Sequence, residues 1–141
     1  MKKTFVSSSP EETEKIAREI SRDALPGDFY ALVGDLGAGK TAFARGFVSG
    51  WIPDARVTSP TYAILNVYRE NDVLINHFDT YRVTSEDDLE STGFFEAIQN
   101  GITLCEWPEK IPFALPESYY RVCLEITREE TRRITLEKVE S

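Results

Sequence analysis

Short apolar runs of strand length alternate along this chain with stretches whose apolar residues recur at helical spacing. Lys3-Thr4-Phe5-Val6-Ser7 predicts a short edge strand. Ser9-Pro10-Glu11-Glu12 predicts a helix start, with Ser as N-cap, Pro at the first helical position and Glu placed for a capping box. Ile16, Ile20 and Ala24, with Ala17 beside them, give that helix an apolar face, and Pro26-Gly27 ends it. Phe29-Tyr30-Ala31-Leu32-Val33 reads as a strand, and residues 41–48 as a helix with Phe43 and Phe47 on one face. Gly50-Trp51-Ile52-Pro53-Asp54 closes it.

Residues 63–68 and 73–78 flank Glu70-Asn71-Asp72 and predict an antiparallel hairpin. Residues 85–90 read as a short capped helix, and residues 94–99 as another before the Asn100-Gly101 turn. Ile102-Thr103-Leu104-Cys105 is a buried strand. Residues 119–126 and 133–139 alternate and predict a second hairpin. The expected fold is α/β, one domain over residues 1–141. Its central mixed sheet is flanked by helices, parallel in the middle and extended by antiparallel hairpins.

Composition narrows the function. With 41% hydrophobic residues among 141, one packed core is affordable. The formal charge of −8 makes a poor stand-alone nucleic-acid binder, because such affinity comes mostly from cations on phosphates. Arg128, Arg132 and Arg133 lie amid Glu129 and Glu130 and read as a solvated hairpin end. No run approaches the roughly 20 apolar residues of a membrane span. The N-terminal stretch lacks the apolar region of a signal peptide, so a cytoplasmic protein is expected. Cys105 and Cys123 each lie in an apolar run and are expected as buried free thiols.

The chemistry sits in Gly34-Asp35-Leu36-Gly37-Ala38-Gly39-Lys40-Thr41, which fits G-x-x-x-x-G-K-[ST] between a strand and a helix. The glycines let backbone amides converge on an anion, and the helix adds the positive end of its dipole. Lys40 is placed for β- and γ-phosphates, and Thr41 for Mg²⁺. This P-loop needs a carboxylate near its metal. Two follow apolar runs, Asp79 and Glu106, and the residues alone leave their roles open. His77, the one histidine, shares a sheet face with Asp79 and reads as a second-shell or core residue, since Mg²⁺ prefers oxygen. Trp107 reads as packing, or as a shield or base platform at the site. Thr58-Ser59-Pro60-Thr61-Tyr62 is either a turn or a segment that senses the γ-phosphate.

Taken together, the P-loop, Thr58-Ser59-Pro60-Thr61-Tyr62, His77-Phe78-Asp79-Thr80-Tyr81-Arg82 and Cys105-Glu106-Trp107-Pro108 resemble the TsaE family, also called YjeE. These are P-loop ATPases of tRNA N6-threonylcarbamoyladenosine (t6A) biosynthesis. The resemblance implies ATP/ADP and Mg²⁺ as ligands and the TsaB–TsaD heterodimer as partner. ATP hydrolysis resets that heterodimer between turnovers, and tRNA is met only indirectly. It implies that Asp35, Leu36, Gly37, Ala38, Gly39, Lys40 and Thr41 hold the phosphates, and that Thr41 and Glu106 hold the metal. Lys40 and Asp79 are the catalytic pair, with Asp79 near the γ-phosphate and attacking water. Ser59 and Thr61 match the switch segment, Trp107 the tryptophan near the site, and Thr13 and Arg133 positions at the adenine end. One departure is Ala42, where many relatives carry a second Thr.

Other P-loop readings fit less well. Asn76-His77-Phe78-Asp79 only superficially matches the guanine motif Asn-Lys-x-Asp, and no Asp-x-x-Gly lies between it and the P-loop, against a GTPase. A small-molecule kinase needs an acceptor pocket and a lid, for which 141 residues leave little room. A non-catalytic, nucleotide-gated module would not need both Asp79 and Glu106.

Overall fold

The Ser9 start forms as the sequence dictates. Its hydroxyl accepts from the Glu12 amide at 3.1 Å, while the Glu12 carboxylate reaches back one residue further, to the Ser8 amide. This is the opening of α1 (Pro10–Ser21), which follows β1 (Lys2–Ser7). The computed structural model describes residues 1–58, 60 and 64–140. After α1 come β2 (Phe29–Val33), α2 (Lys40–Ser49), β3 (Leu65–Glu70), β4 (Val73–Asp79), α3 (Glu86–Glu90) and α4 (Phe94–Ala97). Then follow β5 (Ile102–Glu106), two 3₁₀ turns (Pro108–Lys110 and Pro112–Ala114), β6 (Tyr119–Ile126) and β7 (Arg132–Val139). The two 3₁₀ turns had no periodic signal to announce them.

Helix α1 stops at Ser21, short of Pro26. The amides of Arg22, Asp23 and Ala24 make tight bonds to the carbonyls three residues back. Trp51 Nε1 also donates to the Ser21 carbonyl at 2.8 Å. That tightening turns Ala24 into the core.

The seven strands order as β1-β7-β6-β2-β5-β4-β3. β2 is parallel to both β5 and β6, and β4 to β5. The β3–β4 and β6–β7 hairpins are antiparallel, as is β1 against β7. The mixed α/β sheet expected from the sequence is therefore present, with β1 at one edge. β2 is an unbroken apolar run because both its faces are covered. Tyr30 and Leu32 pack with Leu104, Val122 and Leu124 under Phe43 and Phe47 of α2. Phe29 and Ala31 pack with Phe78, Phe94 and Ile111 on the other side.

Cys105 is fully buried, and burial pushes its thiol up to about 12. Cys123 is only half-buried, a correction to the expectation of two buried thiols, because its side of β6 is incompletely covered. Among the described residues no helix is long and apolar enough to cross a membrane.

Candidate nucleotide-binding site

The P-loop lies beyond the end of β2, where the parallel strands β2, β4, β5 and β6 all end. Gly37 and Gly39 adopt left-handed backbone, φ 81° and 102°, which lets the loop fold back on itself with little steric cost. The Ala38 amide donates to the Asp35 carbonyl at 3.0 Å and closes the turn. Gly39 is the N-cap of α2, so no side chain caps that helix, and its first turn holds no acidic residue. Its first amides are left to an external acceptor.

Lys40 opens α2 and is 7% exposed. Among the described residues its Nζ has no hydrogen-bond partner and lies 3.6 Å from the Trp107 ring centroid. A buried ammonium without an acceptor suits an incoming anion. Thr41 is half-buried on the next residue.

Asp79 and Glu106 are the last residues of β4 and β5 and pair in register. Glu106 is also in register with Leu32 of β2, so both carboxylates lie on the sheet face that carries α2. Burial raises the Asp79 carboxyl above its ordinary value and Glu106 pushes the same way; the Tyr81 amide, His77 and Lys40 oppose them. Asp79 Oδ1 accepts from that Tyr81 amide at 2.9 Å. The buried His77 holds Glu106, Nε2 to Oε2, at 2.6 Å, and so fixes the orientation of the carboxylate. The Thr80 hydroxyl donates to the Trp107 carbonyl at 2.7 Å, with the Glu106 carbonyl 3.0 Å away, and the Thr80 amide donates to Glu106. These bonds lock the two strand ends together.

No group of three or more His, Cys, Asp or Glu side chains gathers among the described residues to hold a metal unaided. A magnesium ion here would take Thr41 and Glu106 as its protein oxygens, with nucleotide phosphates completing the set. That mixed donor set is the one Mg²⁺ favours, and the buried Glu106 fits it.

Thr13 comes close to the site. Its methyl lies 3.9 Å from where a Cβ on Gly39 would stand, and its hydroxyl is 2.7 Å from Ser7 Oγ. Arg133 pairs with Glu125 on the exposed side of the β6–β7 hairpin, at 3.1 and 3.3 Å. Arg132 reaches the P-loop instead, donating from Nη2 to the Gly37 carbonyl at 3.2 Å. The signal was in the alternation, since Arg132 has the parity of Ile134 and Leu136, which face the helices. Ser59 and Thr61 lie outside the described residues. Leu36 stands at the loop tip, 83% exposed.

Residues 7–134 match the family described as "Threonylcarbamoyl adenosine biosynthesis protein TsaE". The chain is 37% identical over 132 residues to the Bacillus subtilis tRNA threonylcarbamoyladenosine biosynthesis protein TsaE, covering 93% of this chain and 82% of that one. It is 34% identical over 129 residues to the Rickettsia felis protein of the same name, covering 91% and 75%. The crystal structure of Bacillus subtilis YdiB superposes with a TM-score of 0.81 at 29% identity, covering all of this chain and 87% of that one.

Proposed function

We propose that this chain, which belongs to the TsaE family of t6A biosynthesis proteins, serves that tRNA modification as a magnesium-dependent ATPase. The single observation behind this reading is the buried Lys40 ammonium, without an acceptor among the described residues, at the uncapped start of α2. The amides of residues 35–41 cradle the phosphates and Lys40 contacts the β- and γ-phosphates. Thr41 and Glu106 hold magnesium, which neutralises charge on the phosphates. Asp79, partly desolvated at the end of β4, orients the attacking water, and its raised proton affinity suits a group that accepts a proton. Thr13 borders the cradle toward the adenine end, and Thr61 belongs to the segment that responds to the γ-phosphate.

The output is conformational. The described residues form one seven-stranded sheet with its helices, and the client is another protein. We take it to be the TsaB–TsaD heterodimer, reset by hydrolysis between turnovers in the cytoplasm. Reconstitution with TsaB, TsaD, tRNA and ATP tests this. Association should depend on nucleotide, and modification should continue past one turnover only with this chain present. Repeated modification without ATP hydrolysis would end the reading.

The metal assignment has its own test. Glu106→Ala should weaken ATP binding in the presence of Mg²⁺ by about tenfold or more and leave metal-free binding nearly unchanged, as read by calorimetric titration with and without chelator. Equal losses in both would remove Glu106 from the metal.

A further inference from the structure

Lys40 is buried, no described residue hydrogen-bonds its Nζ, and burial of a bare ammonium is unfavourable. What faces it is the indole of Trp107, at 3.6 Å from the centroid, well inside the range of a cation–π contact. The ring is not there by default. Trp107 has a left-handed backbone, φ 61°, uncommon for a residue with a side chain. Its carbonyl is fixed by the buried Thr80 hydroxyl, and its ring packs on Tyr81 at 4.9 Å. Pro108 follows and starts a 3₁₀ turn, so the chain leaves β5 along one path. The backbone after β5 thus aims an aromatic face at the P-loop lysine that opens α2.

We infer that Trp107 is a positioning residue for Lys40, the stand-in that holds its ammonium while the site is empty and that phosphate must displace. The inference rests on the ATPase reading, because it takes Lys40 to be the phosphate-binding cation. Nucleotide affinity is then set partly by a contact that exists only before binding. The π-face keeps the lysine desolvated and close to the loop, and its loss on binding opposes the gain from the phosphates. Release leaves the Trp107 ring still packed on Tyr81. Tyr81 is exposed and has Lys110 Nζ 5.1 Å from its own ring centroid.

Lysine side-chain NMR on the full chain tests this without turnover. In the nucleotide-free protein the Lys40 methylene signals, assigned by their loss in Lys40→Met, should lie upfield of the other lysines through the ring current of Trp107. Inorganic pyrophosphate should return them to the ordinary position. Trp107→Leu should lack the upfield signals and bind pyrophosphate about tenfold more tightly, with Trp107→Phe between it and wild type. Ordinary Lys40 signals in the free wild type would overturn the inference. So would unchanged or weaker pyrophosphate binding by a folded Trp107→Leu. A wild type that shows the upfield signals yet takes no pyrophosphate overturns the phosphate-site reading instead, so the two failures are separable.

Discussion

Lys40→Ala should cut ATP hydrolysis in the reconstituted TsaB–TsaD system by about 10²–10³-fold and stop modification after the first turnover. A fixed cation on the transferring phosphoryl group acts where negative charge is spread in the transition state; among the described residues no other Lys or Arg is buried, and the buried His77 is engaged with Glu106. Nucleotide binding should also fall, because charge-assisted bonds to phosphate are the stronger kind. The fold should survive. Nζ makes no hydrogen bond among the described residues, so its removal orphans no partner and takes a buried charge out of the core. Thermal melting near that of wild type, beside lost hydrolysis, is the expected pair of results. Normal repeated modification by the variant would sink the ATPase role.

Gly46→Ala should destabilise the chain by about 3 kcal/mol or more, lowering the melting temperature by roughly 10 °C. A Cβ at Gly46 would stand 2.1 Å from the Glu14 carbonyl oxygen and 2.5 Å from the Glu14 Cα. Those atoms are backbone in the middle of α1, so the clash cannot be relieved by a rotamer; the two helices must part. α2 begins with Lys40, and its displacement should weaken nucleotide binding as well. Helix propensity taken alone gives the opposite sign, since Ala replaces Gly in a helix interior with a gain of about 1 kcal/mol. Denaturant melts of the variant decide between them, and a stabilised Gly46→Ala would refute the packing argument.

That reversal shows where local reading runs out. The caps at Ser9 and Ser85, the strand at 29–33, both hairpins and the P-loop were legible because each depends on residues adjacent in the chain. The carboxylates at the ends of two apolar runs were also legible as candidates. Their meeting was not, because it depends on β4 and β5 lying side by side in register. Arg133 was the arginine named for the adenine end, yet it is Arg132 that touches the P-loop, a one-residue question of strand parity. Two neighbouring arginines in a hairpin look alike until the buried face of β7 is known.

By itself the sequence determined the α/β class, the family and the P-loop motif. These are written in short-range periodicity, in glycines at the turns that need left-handed backbone, and in one contiguous motif. Only the tertiary structure decided that His77 grips Glu106, that Trp107 covers Lys40, that Arg132 touches the P-loop, and that Gly46 admits no side chain. Each of those is a contact between residues far apart along the chain. Side-chain chemistry permits many such contacts, and the strand order and the approach of α1 to α2 select among them.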